Sequence, residues 1–138
     1  MVKIIPIPPQ EVPAVFPSIK ELVLRSLEYA HGNLNVDDVY SHLISSQTVL
    51  WLVTDEKFNI QSFIITDVQQ YPRRKVIRIL LSAGKEMESW KKEATEAFIV
   101  WAKHIGASQI EVIGRKGWEK ALNNLDYKFG HVVLVKEI

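Results

Sequence analysis

The 138-residue chain contains no cysteine, and no apolar run approaches the roughly 20 residues that a membrane-spanning helix needs. The absence of cysteine excludes disulfide bonds, thiolate metal ligands and a cysteine nucleophile. The N-terminal stretch 1–9 is too short and too rich in proline for a signal peptide. We therefore expect a soluble protein with no export signal and a cytoplasmic location.

Apolar residues make up 47% of the chain and charged residues 24%. This composition suffices for a hydrophobic core and is ordinary for a globular protein. The length fits one domain, and no repeat, low-complexity tract or linker divides the sequence. We predict a single domain over residues 1–138.

The net charge of +1 conceals an uneven distribution along the chain. Residues 1–70 carry 4 Lys and Arg against 8 Asp and Glu, whereas residues 71–138 carry 13 against 8. Positive charge in the second half is a weak indication of an anionic ligand there, and lysines and arginines on solvated faces are the more common explanation. The total gives no argument for a nucleic acid or a membrane as partner.

The apolar periodicity predicts an ordered series of strands and helices. In the first half we expect a strand over 3–7, two helices between about residues 17 and 44, and strands over 48–54 and 60–68. The short loop between the last two strands favours an antiparallel hairpin.

The second half has a comparable pattern. We expect a strand over 75–82, a long helix from about residue 86 to a stop at Gly106, and a strand over 109–113. Because a helix separates these two strands, they should lie parallel. A short helix ending near Leu125 and a last strand over 127–135 complete the prediction.

This order of elements resembles the GCN5-related N-acetyltransferase (GNAT) fold over nearly the whole chain. The stretch 106–135 carries the resemblance best, and Leu125-Asp126-Tyr127 stand where that family usually has Leu-Gly-Phe. The stretch from Gly114 to Trp118 also looks like one found in small phage-encoded proteins of this fold. The resemblance implies an α+β (mixed α/β) fold. Its twisted, mostly antiparallel sheet of six to seven strands would have a splayed parallel pair at strands four and five and about four flanking helices.

The resemblance also implies acetyl-CoA as cofactor. In that family the pantetheine arm pairs with the exposed edge of the fourth strand, and the pyrophosphate lies at the N-terminus of the long helix, where the helix dipole favours an anion. The backbone of 80–84 would then hold the thioester and pantetheine, and the side chains near the helix start would hold the phosphates. The corresponding positions here are Leu80, Leu81, Ser82, Gly84, Lys85 and Arg115.

The sequence departs from the family pattern at three points. The loop over 81–87 contains one glycine, so both a phosphate cradle and an ordinary loop that starts a helix remain open. Leu122 stands where the family's proton-donating tyrosine usually lies, and Arg115 stands where an asparagine is usual. Tyr127, at the phenylalanine position, should be a core residue.

Glu111 is the candidate general base, because the strand over 109–113 borders the expected cleft. Its position between two apolar residues is more typical of a solvent-facing strand residue. The four histidines show no spacing typical of a zinc site, so we predict no metal.

Two functions from different classes follow. The first is an acetyl-CoA-dependent N-acetyltransferase that acts on a small-molecule or protein amine, which the acidic first half would attract. The second is a non-catalytic GNAT-fold accessory or virion protein of a phage, located in the host cytoplasm or the virion, which the missing tyrosine favours. A nucleic-acid-binding domain rests only on the basic second half, so we do not expect that partner.

Overall fold

A computed structural model describes residues 1–30, 32–114 and 117–138 of the chain. Single 3-10 turns precede two of the helices and follow the last one. The regular elements in chain order are β1 (Lys3–Ile7), α1 (Val12–Leu27), α2 (Val36–Ile44), β2 (Val49–Thr54), β3 (Ile60–Gln70), β4 (Lys75–Gly84), α3 (Lys91–Ile105), β5 (Gln109–Val112) and α4 (Gly117–Leu122).

The strands form one mixed sheet whose spatial order, β1-β2-β3-β4-β5, follows the chain order. The strands from β1 to β4 pair antiparallel with their neighbours, and β5 pairs parallel with β4. The antiparallel hairpin and the parallel pair at strands four and five are thereby confirmed. With four helices around a mixed sheet, the architecture is the predicted GNAT-like one.

The predicted last strand over 127–135 is wrong. The sheet has five strands among the described residues, not six to seven, and residues 127–138 belong to no helix or strand. The side chains of Val132, Val133, Leu134 and Val135 are 62% to 91% exposed. A β-branched, apolar pattern shows only that a segment favours an extended backbone. A strand also needs a partner for its N–H and C=O groups, which the pattern cannot supply.

The two faces of the sheet carry different cores. The face toward α1 and α2 is mainly aliphatic and includes Ile19, Leu43 and Phe63, all almost completely buried. The face toward α3 is aromatic, and the Trp51 and Phe98 rings meet edge to face with centroids 5.0 Å apart. The polar tip of Trp51 is satisfied because its Nε1 donates to Thr66 Oγ1 at 3.0 Å. Helices cover both faces of the sheet, and this packing holds the ends of the strands in position.

The long helix α3 ends as predicted and begins later than predicted. Gly106 adopts a φ of 79°, the left-handed conformation typical of a helix stop. At the other end, the 3-10 turn Met87–Ser89 and the φ of −141° at Trp90 delay the first α-helical residue to Lys91. Trp90 is buried in the aromatic core, so packing sets this start.

Candidate functional site

The strands β4 and β5 pair over only part of β4. Their register runs from Val76 opposite Gln109 to Ile79 opposite Val112, and one more bond joins the Ile113 amide to the Ile79 carbonyl at 3.0 Å. The remainder of β4, residues 80–84, pairs with β3 on one side only. Within the described chain this stretch has no strand on its β5 side. The two parallel strands thus separate after Ile79 and leave an open strand edge.

A β-bulge lies where this edge begins. Leu81 pairs with Ile65 and Ile79 pairs with Thr66, so Leu80 is one extra residue in β4. Ile79 consequently packs in the core beneath α3, whereas Leu81 packs in the core beneath α1 and α2. Bulges of this kind bend a strand and are frequent beside active sites. Here the bulge directs β4 away from β5.

The loop after β4 is held tightly against β3. Gly84 has a φ of 134°, and a Cβ at this position would overlap the Gln61 carbonyl oxygen and the Ser62 side chain. The Lys85 amide donates to the Gln61 carbonyl at 2.9 Å, and the Lys85 carbonyl accepts from Trp90 Nε1 at 3.1 Å. The requirement for glycine therefore comes from the close approach to β3.

The N-terminus of α3 faces this loop without a side-chain cap. Trp90, the N-cap residue, makes no capping hydrogen bond, so the first-turn amides carry the partial positive charge of the helix end. An open depression in the turn before the helix is lined by residues of 84–89, including Lys85, Glu86 and Glu88. Lys85 is exposed. The depression therefore has one exposed cation beside two acids, and the uncapped helix start follows it in the chain.

Lys91 offsets one of the acids beside that depression. Its buried Nζ donates to Glu88 Oε1 at 2.7 Å, to the Ala121 carbonyl at 2.7 Å and to Asn124 Oδ1 at 3.2 Å. These bonds fix the end of α4 to the start of α3. Lys91 therefore has a structural role. Of the two lysines Lys85 and Lys91, only Lys85 has a side chain exposed to solvent.

A narrow, mostly apolar cavity lies between α3, α4 and the separating strands. Ile79 and Val112 line it at the point where the strands part, and Trp118, Leu122 and Tyr127 line its opposite side. Leu122 is buried, as suits an apolar residue at the position of the family's tyrosine. This cavity reaches the sheet next to the open edge of β4.

Tyr127 is only half-buried, although the sequence predicted a core residue. Its hydroxyl lies 2.9 Å from Thr95 Oγ1 on α3. Burial raises the pKa of Tyr127, and the hydrogen bond with Thr95 partly opposes that shift. Tyr127 therefore stays protonated near neutral pH and joins the end of the α4 region to α3.

Glu111 belongs to a row of charges across three strands. Asp67 on β3, Arg78 on β4 and Glu111 on β5 are consecutive register partners. Arg78 donates through Nε and Nη2 to the two Asp67 carboxylate oxygens, at 2.8 and 2.6 Å. This hydrogen bonding raises the pKa of Arg78, and the nearby charges of Asp67 and Glu111 add to the effect. Ile110 and Val112 pack toward α3, so Glu111 points to the opposite face.

The structure gathers most of the predicted positions in one place. Leu80, Leu81, Ser82, Gly84 and Lys85 form the open edge of β4 and the start of the loop. Glu111 lies on the adjacent strand before the strands separate, half-buried and beside Arg78. Arg115, the remaining predicted residue, lies outside the described residues.

Three side-chain interactions near the candidate site could not be predicted from the sequence. The pairing of Arg78 with Asp67 depends on strand register, and the bonds of Lys91 span about thirty residues. The bond between Tyr127 and Thr95 likewise joins distant positions. Only the alternation of apolar and charged residues in β3 and β4 hinted at the first of them, because it puts Asp67 and Arg78 on one sheet face.

Neither a membrane-spanning helix nor a metal-ligating cluster occurs among the described residues. In the parts of the chain that the structure describes, no helix has the length and apolar character needed to cross a membrane. Across the same residues, no group of three or more His, Asp or Glu side chains could hold a metal ion.

No protein-family model and no curated protein sequence matches the chain. Solved structures do match its fold. An aminoglycoside acetyltransferase from an uncultured soil metagenomic sample aligns with a TM-score of 0.73 at 14% identity, over 100% of this chain and 98% of that one. An aminoglycoside N-acetyltransferase in complex with CoA aligns with a TM-score of 0.69 at 11% identity, over 100% and 95% of the two chains.

A third match is a predicted acetyltransferase from Clostridium acetobutylicum, whose structure contains acetyl-CoA. It aligns with a TM-score of 0.68 at 12% identity, over 99% of this chain and 96% of that chain. At such low identities the likeness defines a fold. Among its described residues this chain has a GNAT-like fold, with a mixed five-stranded sheet, a parallel β4–β5 pair and four helices.

Proposed function

We propose that this chain is an N-acetyltransferase that takes an acetyl group from acetyl-CoA and transfers it to an amine. The observation that carries the proposal is the open edge of β4 over residues 80–84, which lies beside the uncapped N-terminus of α3. A strand edge suits an extended amide-containing chain, and a helix N-terminus suits a phosphate group. Pantetheine and pyrophosphate are joined in this order in CoA.

The residues present fit the cofactor in most respects. Backbone groups of 80–84 would pair with the pantetheine amides, and the first-turn amides of α3 together with Lys85 would hold the phosphates. Glu88 lies nearby, but the ion pair with Lys91 offsets its charge. Gly84 would contribute backbone only, because its missing Cβ is explained by β3. Glu86 is the remaining acid in the depression, and we expect it to weaken phosphate binding.

Acetyl-CoA would supply the acetyl group as a thioester, which an amine can attack directly. We assign Glu111 to receive the proton that the attacking amine loses, since it is the carboxylate on β5 nearest to the separation of the strands. Leu122 cannot donate a proton to the leaving thiolate, so water would do so. The mechanism needs no enzyme thiol, which agrees with the absence of cysteine.

The class of amine is suggested by similarity and by charge. Two of the structurally similar proteins are aminoglycoside acetyltransferases, and the first half of this chain carries an excess of acidic residues. A polycationic small molecule with primary amines would be attracted to such a surface. Aminoglycosides and linear polyamines are therefore the first acceptors to test.

Calorimetric titration with acetyl-CoA tests the cofactor. We expect micromolar affinity for the unmodified chain and about tenfold weaker binding for Lys85→Glu, because one charge reversal beside a phosphate costs about 1.4 kcal/mol. Lys103→Glu is the matched control, since Lys103 is exposed in the last turn of α3 and should leave the affinity unchanged. Failure to bind acetyl-CoA at millimolar concentration would overturn the proposal and leave a non-catalytic role.

Release of the CoA thiol during turnover tests the reaction. A thiol reagent can follow it without background from the protein, because the chain has no cysteine. Glu111→Gln should lower kcat at least tenfold while the affinity for acetyl-CoA stays the same. An unchanged kcat in this variant would remove Glu111 as the base and leave the binding proposal intact.

A further inference from the structure

The carbonyl of Lys85, in the turn between β4 and α3, accepts hydrogen bonds from two buried side chains. Trp90 Nε1 donates to this oxygen at 3.1 Å, and Ser62 Oγ donates to it at 3.3 Å. Ser62 lies fully buried on β3, and Trp90 lies in the aromatic core beneath α3. The peptide group between Lys85 and Glu86 is therefore held in one orientation by donors from two different elements.

This orientation determines where the amide of Glu86 points. In a trans peptide the C=O and N–H bonds point in opposite directions, and the described residues contain no cis peptide bond. The Glu86 N–H therefore points away from Ser62 and Trp90. The open depression of the turn is lined by Glu86 but, among the described residues, by neither of the two donors. This lining agrees with a depression on the amide side of the peptide.

The amide of Glu86 has no acceptor among the described residues. The same holds for the amides of Met87 and Glu88, whereas the amide of Lys85 donates to the Gln61 carbonyl. Successive backbone N–H groups without protein acceptors suit an oxygen anion. The exposed side chain of Lys85 adds a cation next to them.

Resting on the function proposed above, we infer that Trp90, assisted by Ser62, is a positioning residue for the pyrophosphate of acetyl-CoA. It acts through the peptide that it orients, because the Glu86 N–H then faces the anion. Trp90 should therefore contribute to the affinity for the pyrophosphate and not to the affinity for pantetheine, which we assign to the open edge of β4. A thioester that lacks the nucleotide separates this role from a purely structural one.

Trp90→Phe tests the inference, because it removes the indole donor and keeps an aromatic ring in the core. We expect the dissociation constant of acetyl-CoA, measured by calorimetry, to rise about tenfold. The dissociation constant of S-acetylpantetheine, measured from the amide shifts of 80–84 in the ¹⁵N-labelled chain, should change less than about twofold. Acetyl-CoA should also shift the Glu86 amide signal more in the unmodified chain than in the variant. An equal loss for both thioesters, or no loss for either, would overturn the inference.

Trp51→Phe is the matched control. It removes another indole hydrogen bond of the same aromatic core, from Trp51 Nε1 to Thr66 Oγ1, and should leave both affinities unchanged. Equal weakening of acetyl-CoA binding in Trp51→Phe and Trp90→Phe would assign a structural role to Trp90 and overturn the inference.

Ser62→Ala tests the same peptide by a smaller change, and it serves even if Trp90→Phe does not fold. Loss of the longer hydrogen bond should weaken acetyl-CoA binding about threefold and leave S-acetylpantetheine binding unchanged. Equal effects on the two thioesters would again contradict the positioning role. If the unmodified chain binds S-acetylpantetheine and acetyl-CoA with the same affinity, the inference fails and the proposed function stands. If it binds neither at millimolar concentration, the proposed function fails and the inference fails with it.

Discussion

The two edges of β4 differ sharply in how far each is paired. Toward β3, the strand pairs along its whole length, from Lys75 opposite Gln70 to Gly84 opposite Ser62. Toward β5, it pairs only from Val76 to Ile79 and is then open. The closed edge holds the strand in place, and the open edge is the one that we propose binds pantetheine. An open edge is compatible with a stable strand because the other side of the same strand is fully paired.

The difference has a specific cause at the open end. The bulge at Leu80 turns β4, and the contact of Gly84 with β3 keeps the loop close to the sheet on the paired side. On the open side, α3 and α4 are joined by Lys91 and not by strand pairing. Three substitutions, taken from the largest expected effect to the smallest, test whether the two edges are as independent as this description requires.

Gly84→Ala disturbs the packing of β4 against β3 at the closed edge. The added Cβ would overlap Gln61 and Ser62 in a backbone conformation that side chains rarely adopt, so we expect a loss of about 3 kcal/mol in the free energy of unfolding. Urea denaturation measures it. Gly106→Ala is the matched control, because it also has positive φ but an open space around its Cβ, and should cost about 1 kcal/mol. Equal losses in the two variants would contradict the close packing of Gly84.

Lys91→Met removes the hydrogen bonds that join α3 to the end of α4 beside the open edge. The substitution keeps the buried aliphatic volume but leaves the Ala121 carbonyl and the Asn124 side chain without their donor. The expected loss is about 2 kcal/mol. Hydrogen exchange should become faster in α4 before it changes in β2 to β4.

Lys92→Met serves as the control for this comparison. The neighbouring lysine is exposed and should leave both stability and exchange unchanged. Uniform acceleration over the whole sheet in Lys91→Met would show that the two edges of β4 are not independent.

Tyr127→Phe makes the smallest change at neutral pH. Loss of the bond to Thr95 should cost about 1 kcal/mol. Because burial raises the pKa of Tyr127 above that of the unfolded chain, its contribution is fully present below pH about 10 and is lost as the pH rises through the folded pKa. The stability of the unmodified chain should therefore fall more steeply above that pH than the stability of Tyr127→Phe.

Thr95→Val separates the two effects of that tyrosine. It removes the hydrogen bond but keeps the buried phenol, so it should match Tyr127→Phe at pH 8 and still lose stability at alkaline pH. Urea denaturation at pH 8 and at alkaline pH compares the unmodified chain, Tyr127→Phe and Thr95→Val. Identical alkaline behaviour of Tyr127→Phe and the unmodified chain would exclude Tyr127 as the titrating group.

The features of the fold that depend on local sequence were predictable. The strands β2 to β4, the stop of α3 at Gly106 and the parallel setting of β5 follow from periodicity, glycine conformation and chain order. The start of α3 was misplaced because the burial of Trp90 depends on the whole aromatic core. The prediction of a last strand over 127–135 was wrong because an extended segment becomes a strand only when it pairs with another strand.

The role of the candidate site stays a prediction, and the structure supplies only its surroundings. The resemblance indicated 80–85, and in the structure residues 80–84 have no described strand on their β5 side because the two strands separate after Ile79. Gly84 combines a φ of 134° with a close approach to Gln61 and Ser62 on β3, and no local pattern encodes this contact. Similarly, alternation put Glu111 on the face away from Ile110, but only the strand register reveals Arg78 as its neighbour.

The most direct test of the account is a titration of the ¹⁵N-labelled chain with acetyl-CoA, followed by the shifts of the backbone amide signals. The account predicts that the changes concentrate in the amides of 80–84 and in the first turn of α3 from Lys91, with little change along β1 and β2. Millimolar acetyl-CoA that shifts no signals, or shifts only signals remote from the open edge of β4, would contradict it.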